Sequence, residues 1–145
     1  MTSEVKVVLD TNVVVDHLLT RDRHSSNTLY HIKDRERHKI IVCEKLLREY
    51  RDNPALSGLP GVVDRLLMNA LPVERMEKLP DPQIKIRFGP QEDRFHMQLA
   101  IDATAKYHVS KDGAVLACVT LMFDRGVLEV HPHKFVEECC RPRRQ

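Results

Sequence analysis

The stretch VKVVLDTNVVVDHLL, residues 5–19, decides the fold. VKVVL at 5–9 is a short, nearly continuous apolar run of the kind that fills a buried strand of a parallel sheet. Asp10-Thr11-Asn12 follows at once, ahead of the periodic VVVDHLL at 13–19, which reads as a helix. A carboxylate therefore stands at the carboxyl end of a strand. In open α/β sheets that is the edge where ligands bind, so the placement needs a chemical reason.

Outward from this unit the alternation continues. A helix is expected from about 26 to 37, a strand at KIIV, 39–42, and a helix at 43–52. Pro54, Gly58, Pro60 and Gly61 mark a loop, VVDRLLMNAL at 62–71 reads as helix, and Pro72 stops it. Residues 72–90 carry Pro72, Pro80, Pro82 and Pro90 around a candidate strand at Ile84–Phe88, and read as loop or edge strand. After Pro90, QEDRFHMQLAIDATAK runs sixteen residues without a breaker and predicts the longest helix. Tyr107–Ser110 then reads as strand, Ala114–Met122 as helix, Val127–Val130 as strand and Lys134–Glu138 as helix. Strand alternating with helix predicts an α/β fold, a doubly wound and mainly parallel sheet flanked by helices. A chain of 145 residues, 42% hydrophobic, suits a single domain over 1–140 with a basic tail at 141–145.

Composition narrows the function classes. With 23 basic against 21 acidic residues the formal charge is +2, so overall charge announces neither nucleic acid nor membrane. Local basic candidates are Arg21 to Lys39, with six Lys/Arg against three Asp/Glu, and the run Arg141-Pro142-Arg143-Arg144; both read equally well as solvated surface. The longest apolar stretch, Ala114–Phe123, falls far short of a membrane span, and no secretory leader pattern opens the chain. A reducing cytoplasm is the expectation. Cys43, Cys118, Cys139 and Cys140 lack paired CxxC spacing and read as buried or idle thiols; Cys139 and Cys140 with His131 and His133 make only an irregular zinc set. His17, His24, His31 and His38 recur every seven residues, but the break at Arg21–Ser26 spoils a continuous helical face, so they read as surface histidines in chance register. Aromatic content is 5% with no Trp, which argues against extensive base stacking, although Tyr30, Phe88 or Phe95 can each meet one base.

The acids carry the chemistry. If the strands at 5–9 and 107–110 are central neighbours, Asp10 and Asp112 converge at one rim. Asp93 shares a helical face with Met97, Ala100 and Thr104, at the exposed end of a partly apolar stripe; Asp102 lies on about the opposite side and reads as solvated, while Glu92 is the alternate if boundaries slip. Glu44 and Glu49 flank the Leu46, Leu47 and Tyr50 stripe at similar angles, so phase does not choose between them, and an early glutamate such as Glu44 can merely complement the helix dipole. Two to four convergent carboxylates are what a hard divalent cation such as Mg²⁺ or Mn²⁺ requires.

These residues bring a resemblance into view. VVLDTNVVVDHLL, CEKLLREY, EDRFHMQLAIDATAKYHVSKDGAVL and VHPHKFVE, taken in order, resemble the PIN domain family of metal-dependent ribonucleases over nearly the whole chain. The resemblance implies that Asp10 within the DTN motif, Glu49 in CEKLLREY, Asp93 at the head of the long helix and Asp112 in Ser110-Lys111-Asp112 form the catalytic metal site. Serine stands where the family's pattern has threonine, keeping the hydroxyl, and the proline-rich stretch 72–90 is longer than the compact link expected. Asp10 and Asp112 would be principal ligands, Asp93 and Glu49 would hold a second ion or orient water, and Asn12 and Ser110 would fix carboxylate orientation. The resemblance further implies RNA as substrate, cleavage leaving a 5′-phosphate and a 3′-hydroxyl, homodimerisation, and an antitoxin or regulator as partner. A PIN-like module that binds RNA or protein without cutting is the alternative reading. A metal phosphatase is disfavoured, because Asp10-Thr11-Asn12 lacks the second aspartate of a DxD nucleophile motif.

Overall fold

A computed structural model describes residues 4–20, 22–35, 37–53 and 60–139. The terminal run 141–145, Cys140, Arg21 and Glu36 lie outside the described residues. Five strands form the sheet: β1 (Val5–Leu9), β2 (His38–Val42), β3 (Met76–Lys78), β4 (Tyr107–Val109) and β5 (Leu128–Val130). Their order is β3-β2-β1-β4-β5 and every pairing is parallel. The order turns back between β1 and β4, which makes the crevice beyond their carboxyl ends the expected ligand site. Val7, Val8, Leu9, Ile40, Ile41 and Val42 are fully buried, as central parallel strands covered on both faces must be.

The helices are α1 (Thr11–Leu19), α2 (Arg23–Asp34), α3 (Glu44–Asp52), α4 (Pro60–Ala70), α5 (Arg94–Asp102), α6 (Gly113–Leu116), α7 (Val119–Phe123) and α8 (Pro132–Cys139). Short 3₁₀ turns at Val73–Arg75 and Gln91–Asp93 precede β3 and α5. The alternating pattern holds, and α4 starts two residues early, because proline fits the first helical turn. The expected helix over 114–122 divides at Ala117–Cys118 into α6 and α7.

Three expectations are corrected. Of the two readings of the proline-rich stretch, Ile84–Phe88 takes the loop and not the candidate strand: the backbone N–H groups of Lys85 and Ile86 donate to Gln98 Oε1, at 3.0 and 3.1 Å, so a side chain of α5 takes the place of a neighbouring strand. The edge strand is β3, where MEK pairs with Ile40–Val42. The long helix also stops early. α5 ends at Asp102 in a Schellman turn, with Ala105 N donating to Ala100 O at 2.9 Å and Thr104 N to Ile101 O at 3.1 Å. Thr104 occupies the left-handed position at φ 53°, where glycine is usual, so no sequence signal marks the stop. The longest described helix is α2, with 12 residues.

The third correction concerns histidines: His17, His31 and His38 are buried rather than on the surface. His31 and His38 pack against Phe135 of α8, and His38 Nε2 lies 3.8 Å from Cys139 Sγ. His131 and His133 sit elsewhere, against His24, so Cys139 keeps different company from the irregular set read in the sequence. Cys43 and Cys118 are buried thiols, as expected. No helix among the described residues is long and apolar enough to cross a membrane.

Candidate metal centre

Asp10 reaches the sheet's carboxyl rim because β1 ends one residue before it, and its N–H still donates to Val109 O of β4 at 2.9 Å. It is 4% exposed. A carboxylate so buried needs partners, and its Oδ2 has two: Ser110 Oγ donates to it at 2.7 Å and Asn12 Nδ2 at 3.4 Å. Asn12 Oδ1 in turn accepts from Lys111 N at 3.2 Å, tying the loop after β4 to the start of α1. The second carboxylate oxygen, Oδ1, is thereby turned into the crevice.

Asp93 arrives from the other side. Pro90 opens the 3₁₀ turn that carries it, and α5 follows directly. α5 is held in place by the proline-rich stretch 79–90, which passes over it through the Gln98 hydrogen bonds and through Arg94 Nε donating to Gly89 O at 3.0 Å. Gly89 has φ +84°, and a Cβ there would meet Met97 Sδ at 3.0 Å, so the close approach requires glycine. The irregular link thus fixes the helix that positions Asp93.

Between the two aspartates stands a residue that sequence reading passed over. His96 Nε2 lies 3.1 Å from Asp93 Oδ1 and 3.5 Å from Asp10 Oδ1, with its ring fully buried. Ligand atoms of Asp10, Asp93 and His96 all fall within 4.8 Å of one another. Behind His96, its Nδ1 is 2.8 Å from His108 Nε2, and His108 Nδ1 is 2.8 Å from Glu129 Oε2 and 2.7 Å from Oε1. Burial pushes the Glu129 carboxyl above its ordinary range. Burial alone would lower His108, but the Glu129 carboxylate beside it, with Asp10 and Asp93 beyond, makes its net shift upward. Two signals for this chain were present in the sequence: a histidine one turn after Asp93, and lone polar residues inside the strands YHV and LEV.

The other two predicted acids stand at the same rim but outside this tight group. Asp112 caps α6, its Oδ1 accepting from Ala114 N at 2.9 Å, and its own N–H donates to Ser110 Oγ at 3.0 Å. One hydroxyl thus links Asp112 to Asp10. Glu49 Oε2 accepts from Thr11 Oγ1 at 3.1 Å, which turns it toward the residue after Asp10. Glu44 points away, paired with Lys78. Glu92 and Asp102 are exposed, the latter accepting from Gln98 Nε2. Beside Glu49 opens a cleft of about 520 Å³ lined by Thr11, Lys45, Arg48, Glu49, Asp52 and Asn53. Lys45 and Arg48 are exposed there, with Lys45 Nζ 4.4 Å from the Phe95 ring centroid, so this cleft carries basic side chains beside Glu49 and Asp52.

Two buried or half-buried carboxylates and an imidazole, converging on one point at the switch of a parallel sheet, define a candidate site for a divalent cation. The family model of the PIN domain matches residues 6–114, and the chain belongs to the PIN domain family. PIN domains are generally nucleases that depend on divalent metal. The fold is similar to that of VapBC2 from Rickettsia felis, bound to a DNA fragment from their promoter, with a TM-score of 0.58 and 14% identity over 88% of this chain and 98% of that one. It is similar also to a PilT N-terminus domain protein, SSO1118, from the hyperthermophilic archaeon Sulfolobus solfataricus P2, with a TM-score of 0.56 and 8% identity over 97% of this chain and 98% of that one. No curated protein matches in sequence.

Proposed function

We propose that this chain is a metal-dependent endoribonuclease whose site comprises Asp10, Glu49, Asp93 and Asp112, with Asn12 and Ser110 orienting the carboxylates. The observation that carries the reading is the buried Asp10 carboxylate, one oxygen anchored by Ser110 and Asn12 and the other turned toward Asp93. Burying a carboxylate next to a second one is unfavourable unless a cation joins them. Mg²⁺ or Mn²⁺ bound there would supply a water of lowered pKa and polarise a phosphoryl oxygen. In this reading the chain's own part is to hold the Asp10 and Asp93 carboxylates still, with Glu49 and Asp112 acting beside them, and to receive the backbone phosphates on Lys45 and Arg48, exposed beside Glu49. No histidine base is required. Hydrolysis would leave a 5′-phosphate and a 3′-hydroxyl.

The same reading takes a toxin-type role as its setting, with a protein antitoxin as partner, homodimerisation, and action on RNA in the cytoplasm; the likeness to VapBC2, at 14% identity, supports the fold. A second reading, an RNA-binding or protein-interaction module without cleavage, draws on Asp112 being engaged as a helix cap. One experiment separates them: labelled single-stranded RNA incubated with Mn²⁺ or Mg²⁺ and either wild type or Asp112→Asn, purified identically. Metal-dependent cutting by the wild type alone is expected. Equal cutting by both, or none by a folded wild type, would remove the nuclease reading.

A further inference from the structure

We propose that His96 is a nitrogen ligand of the metal centre, aimed there by a buried hydrogen-bonded chain that runs through His108 to Glu129. The inference rests on the reading of Asp10 and Asp93 as a metal site and adds a donor of different chemistry to it.

Val8, His108 and Glu129 are register partners across β1, β4 and β5, on the face of the sheet that α5 covers. Such positions are ordinarily apolar. Here they hold an imidazole and a carboxylate, both completely buried as side chains, and α5 adds a second buried imidazole. Burying three such groups is costly unless each is partnered. The rings of His96 and His108 lie within 7° of parallel with centroids 5.0 Å apart and nitrogens 2.8 Å apart, so they meet edge to edge in nearly one plane, joined by a hydrogen bond.

The direction of that chain decides what His96 offers. A carboxylate only accepts. In the tautomer that places the His108 hydrogen on Nδ1, toward the Glu129 carboxylate, His108 Nε2 accepts Nδ1–H of His96. His96 Nε2 is left as a lone pair facing Asp93 Oδ1 at 3.1 Å and Asp10 Oδ1 at 3.5 Å. A proton on Nε2 or a cation among the three atoms satisfies this geometry, and a cation bound there would take the Nε2 lone pair as a donor beside the two carboxylate oxygens. Neighbouring ligands about 2.1 Å from an octahedral ion are roughly 3.0 Å apart, close to the separations found. A carboxylate behind a ligating imidazole is a recurrent way of fixing its tautomer; here a second histidine extends that link by one ring.

A nitrogen donor changes metal preference. Imidazole suits Co²⁺, Zn²⁺ and Fe²⁺ better than Mg²⁺, whereas carboxylates alone favour Mg²⁺ and Mn²⁺. The test is made on the full chain without RNA. Mn²⁺ is bound to protein carrying ¹⁵N-labelled histidine, and pulsed EPR reads the nitrogen hyperfine coupling, while calorimetry gives Co²⁺ and Mg²⁺ affinities of wild type, His96→Leu and Glu129→Gln. Expected are one directly bound histidine nitrogen in the wild type, its loss in His96→Leu, and a Co²⁺ affinity lowered about ten-fold or more in both variants, with a smaller change for Mg²⁺. A merely structural role would lower both metals equally, and that equal loss would overturn the proposal. Bound Mn²⁺ with no nitrogen coupling would overturn it as well, even if RNA is cleaved. Coupled Mn²⁺ in a protein that cuts no RNA would uphold it and remove only the nuclease reading, whereas failure of the wild type to bind any of these metals would sink both.

Discussion

Glu129→Leu is the substitution that tests most directly whether the buried chain is built as described. Glu129 places both carboxylate oxygens within 2.8 Å of His108 Nδ1, and His108 is completely buried. Leucine is close in size, so little cavity results. What remains is a buried imidazole whose outer nitrogen has lost its acceptor. Leaving a buried N–H without its carboxylate acceptor costs up to roughly 3 kcal/mol. Taking about 3 kcal/mol, and roughly 2–4 °C per kcal/mol for a chain of this size, the midpoint of thermal unfolding should fall by about 6–12 °C. In urea, with m of about 2 kcal/mol per molar, the midpoint should fall by about 1.5 M.

The companion variant removes the whole chain at once: His96→Leu, His108→Leu and Glu129→Leu together. An apolar set of similar volume leaves no orphaned group, and such replacements are often neutral or stabilising. The triple variant should therefore be more stable than the single one, although it carries two more substitutions. Equilibrium urea unfolding in EDTA, which removes stabilisation by bound metal, gives the comparison. A single variant that loses less than about 1 kcal/mol, or a triple variant no more stable than the single, would refute the reasoning.

Further outcomes follow from particular contacts. Ser110→Ala removes the hydroxyl that donates to Asp10 Oδ2 and accepts from Asp112 N, so Mn²⁺ affinity by calorimetry should drop about ten-fold. Thr104→Gly relieves a β-branched residue at φ 53° and should raise stability by about 0.5–1 kcal/mol in urea unfolding. Burial, reinforced by the neighbouring His31, Arg37, Arg35 and Arg75, holds His38 at about 4. Below its ordinary value of 6.5 the unfolded chain therefore takes up a proton that the native state refuses, so stability falls as pH drops from 6.5 toward 4. His38 alone should account for about 2 kcal/mol of the loss between pH 7 and 4.5, and His38→Leu should flatten the measured slope by that amount.

The sequence made the sheet's central strands readable, because burial on both faces leaves a continuous apolar run, and Asp10 was readable because it ends one. What escaped was set by partners distant in the chain. Ile84–Phe88 has the composition of a strand, but Gln98 accepts its N–H groups, while MEK, with little apolar character, becomes a strand because β2 offers an unpaired edge. The end of α5 escaped because Thr104 fills a position that glycine normally announces. Glu49 was preferred over Glu44 only through family resemblance, since helical phase was silent; the structure separates them physically, with Glu49 hydrogen-bonded to Thr11 and Glu44 drawn off by Lys78.

The histidines show the limit most sharply. Read singly, a histidine is intermediate between core and surface, and only a partner's position decides that it is buried. His96 is three residues after Asp93, but nothing local says that His108 stands in the next ring position behind it, or that Glu129 stands behind that. The contact joins residues from α5, β4 and β5, and it depends on the parallel register that pairs His108 with Glu129. A one-residue slip in that register would turn the carboxylate to the other face of the sheet and leave two buried imidazoles without an acceptor. The chain of polar groups therefore does two things at once: it disfavours the misregistered sheet, and it carries the influence of a carboxylate buried in β5 to the rim where Asp10 and Asp93 meet. A site of four acids alone would need no such support from the core, and that is the physical reason to look for nitrogen at this candidate metal site.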